Sequence, residues 1–560
     1  MTTLHGHKPA QCFLEISMSL KRKDLTSSDP LHLQTDVLIL GGGPAGAWAA
    51  LSAVQRGAQV ILADKGYLGT SGATAPSNTG TWIVPPGDNR AQIIERRWQS
   101  TGNLADQRWM LRTVDQAYEN LLKLAEWGYP FPDGEDGRLY IANLRGPDYM
   151  AFMRRRVLRA GVTVLDHHPA LELYFDGEAV TGAAGIDRHR DRDWRIEAGA
   201  VLLATGGCAF HERILGATTL TGDGHLMAAE AGASLSGMEF TGKYTLAPFG
   251  TSLNKGLPFR WASFYREDGT PILDSDGNHL QNGIGEREKE IAKAMIDAPV
   301  YAVLDQAEPA LQDWLRRGQP NCFVPYDRMP VDPFRDPFRV TFRAEGTVRG
   351  TGGIRIASSD CATDVAGLYV AGDAASREQI AGATSGGGGP NSSWAIASGW
   401  WSGQGAALHA KRRSGKAFKR HSSPLGKAGL RPVSTTKNWL TPKDVIDSVR
   451  AEVTPLEKNY FREGNRLRVS SEKLNAVWND VKNHLSGVGP NRLKAREAAA
   501  IAASGRWSVA AALARKESRG IHRRSDFEGN EMTFARPITL RGIDDISVST
   551  APYSRREMAS

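Results

Sequence analysis

Residues 36–64 constrain this chain more than any other stretch. Residues 37–40 are a short apolar run of strand length, leading directly into Gly41-Gly42-Gly43-Pro44-Ala45-Gly46. That is a GxGxxG pattern carried by Gly41, Gly43 and Gly46, with Pro44 and Ala45 between the last two. A small-residue helix is predicted over 47–56, ended by Gly57, and a second strand over 59–63 ends in Asp64. In such a unit Gly41 permits a tight turn, Gly43 lets the backbone approach a pyrophosphate, and Gly46 lets the helix pack on the strand. The helix N-terminus offers free N–H groups and a partial positive charge to phosphates. Asp64 stands 18 residues beyond Gly46, where a carboxylate can accept from ribose hydroxyls. Residues 385–389 are also glycine-rich but lack flanking strand and helix signals, so one dinucleotide site and no separate nicotinamide-nucleotide domain are predicted.

The remaining bounds are broad. A length of 560 residues suggests two to four structural units, and 41% hydrophobic with 23% charged residues suits a large core. Four cysteines (Cys12, Cys208, Cys322, Cys361) form no CxxC pair, which argues against a disulfide framework, a structural zinc site or an iron–sulfur cluster held by this chain alone. A low cysteine count fits a reducing compartment. No run of 18 apolar residues predicts a transmembrane helix, and the first 30 residues lack a signal-peptide core. The reading is a disordered leader and a cytoplasmic protein, with any membrane association through a partner. The net charge of +8 divides unevenly: residues 1–410 carry 39 basic and 46 acidic groups, residues 411–560 carry 30 and 15. A slightly acidic body thus precedes a tail of net +15, which suggests an anionic partner for the tail.

Further segments, in order, carry a family resemblance. They are the small-residue loop 65–80, the apolar run 201–207 ending in Ala204-Thr205-Gly206-Gly207, Thr221-Gly222-Asp223-Gly224, Met238-Glu239-Phe240, Gly352-Gly353-Ile354, residues 367–373 ending in Gly372-Asp373, and residues 515–523, RKESRGIHR. In this order the chain resembles the flavoprotein subunits of fumarate reductase and succinate dehydrogenase, a family that also holds L-aspartate oxidase and the adenylylsulfate reductase alpha subunit. The resemblance covers about residues 35–530. It implies FAD, an α/β fold with a discontinuous Rossmann-like FAD-binding domain, an inserted α+β capping domain and a C-terminal helical domain. Lys65, Ser71, Gly72, Ala73, Thr205 and Gly206 are assigned to the FAD on this basis, as are Asp223 and Asp373, the latter through ribitol hydroxyls. Ser392 and Ser393 open an apparent helix over 394–407, with Asn391 or Ser392 as its N-cap. The resemblance aims that helix N-terminus at the flavin, where its dipole favours negative charge.

The departures bear on substrate. Covalent flavinylation in the family uses a His in the loop after the second strand; residues 69–74 contain none, so non-covalent FAD is expected. The dicarboxylate enzymes carry an Arg in a GANRLG-like stretch, suited to a carboxylate by its fork. Here residues 382–389 contain no Arg. Two family His positions fall near Val348 or Arg349 and near Tyr244. With these polar groups missing, turnover of fumarate or succinate is not expected. Residues 238–266 look more like adenylylsulfate reductase, and they supply Lys243, Lys255, Arg260 and Arg266. Arg260 sits roughly where relatives place a proton-donating Arg. Arg260, Lys243, Tyr244 and Arg349 are therefore the catalytic candidates.

Along the chain this reading gives a leader over 1–34, an FAD-binding domain over 35–237 and 348–425, a cap over 238–347, and a basic helical domain over 426–560. Thr441-Pro442 marks a helix start and Gly489-Pro490 a break. One good helix is expected over 285–295, and Arg154-Arg155-Arg156 reads as a solvated helix face. The functional reading is an FAD-dependent oxidoreductase that moves hydride or electrons between a small anionic substrate and a carrier. A ferredoxin-like iron–sulfur subunit docking on the tail is the preferred carrier. An adenylylsulfate-reductase-like subunit, an amino-acid oxidase and a nucleic-acid-binding flavoprotein are the alternatives; the tail lacks a nucleic-acid motif. Oligomeric state is open.

Overall fold

The computed structural model describes residues 29–550 apart from 88, 135–136, 275, 279, 281–285, 386, 414–420, 434–438 and 490. Its first strand is Leu31–Leu40, so residues 31–34 belong to the sheet and not to a leader. The outer half of this strand alternates in exposure while pairing with Arg192–Leu203, and that alternation conceals it from a search for continuous apolar runs.

The fold is α/β. Leu31–Leu40 lies parallel to Val60–Ala63 on one side and to Arg192–Leu203 on the other. Thr163–Leu165 extends the parallel sheet beyond Val60–Ala63, and Leu368–Val370 pairs with the end of Arg192–Leu203. Ala170–Phe175, Val180–Asp187 and the start of Arg192–Leu203 form an antiparallel meander at the other side. Leu40, Ala63, Leu203 and Val370 thus end four parallel strands at one edge, where ligands of open α/β sheets bind. Two helices start there. Pro44–Gln55 and Gly388–Arg413 pack closely, because Gly399 and Gly403 let one helix meet the backbone of Ala45 and Ala49 in the other. The second helix begins six residues earlier than the sequence suggests, which places Asn391 and Ser392 inside it, not at its cap. Pro390 fits its first turn, where a missing N–H loses no helical bond.

Tyr244–Pro248, Ser263–Arg266, Val300–Val303 and Phe338–Ala344 form a separate four-stranded antiparallel sheet. With the helices Glu286–Asp297 and Pro309–Gly318 it encloses its own core, including Phe259, Phe264, Ile291 and Phe338. C-terminal to the sheet domain, Pro442–Val453, Gly464–His484 and Asn491–Ala514 pack on one another. Thr441 caps the first, its hydroxyl oxygen accepting from the Asp444 N–H at 3.2 Å. The chain then returns, and Thr539–Arg541 pairs with Leu235–Ser236.

Part of the charge split is taken up inside the molecule. Arg462, Arg496, Arg515, Arg519 and Arg524 are each at most 4% exposed. Tail cations pair with acids of the body: Arg496 with Glu230, Arg515 with Glu239 at 2.8 Å, Arg450 with Glu212 at 3.0 Å, and Arg492 with Asp193 at 2.6 Å. Part of the tail's excess positive charge therefore meets acids of residues 1–410 across their own interface. Arg154 is likewise no solvated face. It pairs with Asp166 at 2.7 Å, donates to the Leu68 carbonyl and lies over the Tyr67 ring.

Candidate active site

At the carboxyl edge of the parallel strands lies a long cleft with about 1330 Å³ of empty space, including its open mouth. Gly41, Gly43, Pro44, Ala45, Asp64, Lys65, Ser71, Gly72, Ala73, Thr205, Gly206, Asp223, Asp373 and Ser392 all line it. Gly46 and Ser393 are not among the lining residues. A Cβ on Gly46 would collide with the Gly41 carbonyl, so its place is the packing of helix on turn. Ser393 is buried and its hydroxyl accepts from the Trp82 N–H at 2.9 Å, away from the cleft. Ser392 donates to the Gly80 carbonyl at 2.6 Å.

The glycines divide their tasks by geometry. Gly41 has φ +109°, and a Cβ there would collide with the Ala204 carbonyl, so only glycine fits that turn. A Cβ on Gly43 would meet no protein atom within 4 Å. Gly43 thus leaves open a cradle at the helix N-terminus where an anionic group gains the free N–H groups and the dipole. Asp64, 5% exposed, fixes this loop: its carboxylate accepts from the Gly42 N–H at 2.5 Å, the Gly66 N–H at 2.7 Å and the Ser71 hydroxyl at 2.8 Å.

Further along, Lys65 is paired with Asp223 and with Glu497 at 2.8 Å, and it donates to the Thr221 hydroxyl at 2.8 Å. Burial works against its charge, but the two carboxylates outweigh burial and hold its pKa above the ordinary lysine value. Glu497 belongs to the C-terminal helix Asn491–Ala514, so that helix helps form the cleft wall. Asp373 is held by Arg377, which is buried and also donates to the Thr347 carbonyl at 2.8 Å. Burial raises the Asp373 pKa, opposed by Arg377 and Arg349.

The cleft suits a large polar cofactor. The Thr205 Oγ1 and Asn391 Oδ1 atoms are buried without a hydrogen-bond partner in the protein, and both residues line the cleft. Buried polar atoms are nearly always satisfied, so these two point to a ligand that supplies the bonds. Together with the open Gly43 cradle they fit a dinucleotide.

Two neighbouring cations line the cleft, and they come from two different parts of the chain. Arg349 lines the cleft and pairs with Glu345 through Nε at 3.2 Å. Lys255 also lines it, donating to the Ser77 hydroxyl at 2.8 Å. Burial pushes the Lys255 pKa down to about 8, helped by the nearby positive charge of Arg349 and opposed by Glu345. Lys255 is one of four cations in residues 238–266, and nothing in its local sequence singles it out. The other three catalytic candidates lie outside the cleft. Lys243 is paired with Glu288 at 2.8 Å. Tyr244 is buried in the second core, packed edge-on against Phe342 and Tyr460, and donates to the Thr454 carbonyl at 2.8 Å. Arg260 is exposed on the short helix Pro258–Trp261. Linear position along the cap does not reveal which side chain turns inward.

Comparison with known proteins agrees with this architecture. The FAD binding domain family matches residues 36–391, and the fumarate reductase flavoprotein C-term family matches residues 457–541. The L-aspartate oxidase of Mycobacterium tuberculosis is 26% identical over 546 residues, covering 91% of this chain and 96% of that protein. A fumarate reductase (CoM/CoB) subunit from Methanothermobacter marburgensis is 23% identical, covering 90% of this chain and 97% of that protein. Among solved structures, the flavoprotein of E. coli quinol fumarate reductase superposes with TM-score 0.76 at 20% identity, over 94% of this chain and 98% of that one. Adenylylsulfate reductase from Archaeoglobus fulgidus gives 0.73 at 18% identity, over 94% and 97%. With its family match spanning more than half its length, the chain belongs to the FAD binding domain family and is an FAD-dependent oxidoreductase.

Proposed function

We propose that this enzyme acts on a small anionic substrate held between Lys255 and Arg349, with non-covalent FAD in the cleft and a separate electron acceptor. When bound, FAD supplies two-electron chemistry; the protein supplies binding, orientation and charge. The observation that carries the reading is that both cations line the cleft, near enough for Arg349 to act on Lys255, one from residues 238–347 and one from the segment after them. Arg349 presents a fixed planar donor set because Glu345 anchors its Nε. Glu345 is itself held, accepting from Thr245 and from the Asn254 side-chain amide at 3.0 Å. Gly41, Gly43, Asp64, Thr205, Asp223 and Asp373 are proposed to hold the cofactor. Among the described residues no His lines the cleft, which supports non-covalent attachment.

The acceptor is proposed to be an iron–sulfur protein or another soluble carrier. The chain's own described cysteines, Cys208, Cys322 and Cys361, are buried and scattered. Among the described residues no helix is long and apolar enough to cross a membrane. Some of the tail's arginines pair with the body, so net charge alone does not place the docking face.

Anion titrations followed by flavin absorbance test the reading. Succinate, fumarate, L-aspartate, sulfite and adenylyl sulfate form a suitable panel, since they span the relatives' chemistry. Arg349→Met is expected to weaken binding of any responding anion about 10- to 100-fold, the worth of one or two charge-assisted hydrogen bonds, while FAD content stays at wild-type level. Equal affinity in wild type and variant would remove Arg349 from the substrate site.

A further inference from the structure

We propose that Lys255 is the proton-exchanging residue of this cleft, taking up a proton when electrons enter the site and releasing it when they leave. The proposal rests on the substrate position inferred above, but its test does not require a substrate.

The geometry selects Lys255 among the cations near the cleft. Lys65 is bound to two carboxylates and Arg377 is fixed on Asp373 and backbone carbonyls, so neither is free to exchange a proton. Arg349 is a guanidinium that stays protonated in proteins. Lys255 has no carboxylate bonded to it among the described residues; it donates to Ser77 Oγ, which in turn donates to the Ala73 carbonyl at 2.7 Å. Ser77 therefore orients the ammonium without neutralising it. Three charged or titratable groups act on Lys255 from the elements around it. Arg349 repels its proton, Glu345 attracts it from behind Arg349, and Cys322 comes from the segment Pro320–Cys322. The acids lining the cleft, Asp64, Asp223 and Asp373, already have partners, in the glycine loop, in Lys65 and in Arg377. With its pKa at about 8, the amine is partly neutral at mildly alkaline pH and able to accept. Negative charge arriving in the cleft raises that pKa and draws a proton in.

The atoms balance. A substrate oxidised across an H–X–Y–H unit to X=Y loses two electrons and two protons. When bound, FAD would take one hydrogen together with both electrons, and the neutral form of the Lys255 amine would take the other as a proton. Reoxidation by the external carrier would take the two electrons and return two protons to solvent, the one carried in with those electrons and the one held by Lys255. The reverse direction runs the same steps backward.

Potentiometric titration of the FAD-loaded protein from about pH 6 to 10 tests this directly. Coupling of one proton to two electrons gives a slope of about 30 mV per pH unit, and two protons give about 59. Wild type is expected to steepen from the first slope to the second above about pH 8. Lys255→Met and Lys255→Arg are both expected to hold the shallow slope throughout, the first without a proton site and the second always protonated. Two conservative variants guard against loss of folding in one, with FAD content measured first. A straight wild-type line, or the same inflection in both variants, overturns the proposal. Failure of every anion to bind would instead strike the substrate reading and leave the potentials to decide Lys255.

Discussion

Gly43→Ala is expected to give a folded protein that has lost most of its FAD affinity, whereas Gly46→Ala is expected to damage the fold itself. The two positions lie in one turn and differ only in what their missing side chains would meet. A methyl on Gly43 finds no protein atom within 4 Å, so it leaves the apo fold untouched. It would project where the cradle must admit the cofactor, and overpacking of a close contact costs about 1–3 kcal/mol, or roughly 5- to 150-fold in affinity. A methyl on Gly46 would overlap the Gly41 carbonyl, forcing the helix Pro44–Gln55 away from the turn. The helix cannot yield easily, because Gly403 packs closely against the backbone of its Ala49. FAD retained on gel filtration, together with thermal unfolding followed by circular dichroism, separates the outcomes. Normal FAD content in Gly43→Ala would show that the cofactor does not approach this turn.

The second large effect is expected at Glu517. Glu517→Ala should lower stability by about 3–5 kcal/mol, because it leaves buried positive charge without its partner. Glu517 is fully buried and bridges two arginines, Arg515 at 2.8 Å and Arg519 at 2.6 Å, and its other oxygen accepts from the Glu531 N–H at 2.8 Å. Arg515 continues to Glu239, and Arg519 to the Gly102 carbonyl at 2.5 Å. The network thereby ties the end of the C-terminal region to two separate stretches of the body. Burial alone would raise the Glu517 pKa, but hydrogen bonds from Arg519, the Glu531 N–H and Arg515 leave it lowered. A lowered folded-state pKa contributes stability that is present above the unfolded value of about 4.3 and lost as pH falls through the folded value. Wild type should therefore lose this contribution only in acid, and the variant should show a weaker acid dependence. Denaturant unfolding of both proteins at about pH 7 and pH 4 measures it; a difference under about 1 kcal/mol at neutral pH would mean the arginines find other partners.

How much of this is legible in the sequence depends on sequence distance. Asp64 and the glycine turn lie within 24 residues of one another, so spacing alone carries the tight turn, the open cradle and the acid at the strand end. Ser393 and Gly46 share those motifs yet face structure and not the cleft, since a one-residue step along a helix turns a side chain by about 100°. The helix start at Gly388 escapes sequence reading because glycines and proline read as loop until the tertiary neighbours Ala45 and Ala49 make close packing useful.

By itself the sequence determined a dinucleotide-binding α/β core and, through ordered motifs, its family, because short-range steric demands on glycine and alternating apolar strands leave few alternatives. Two matters were decided only by the tertiary structure. One is which cations serve the site: Lys255 and Arg349 are far apart along the chain, and folding brings them into one cleft while turning Lys243, Tyr244 and Arg260 away. The other is the meaning of the basic tail. A charge count cannot say whether an arginine faces solvent or a buried carboxylate, and here Arg496 and Arg515 meet Glu230 and Glu239 inside the molecule. Coulomb attraction acts over distances in space, not along the chain, so only the folded structure shows which charges neutralise one another.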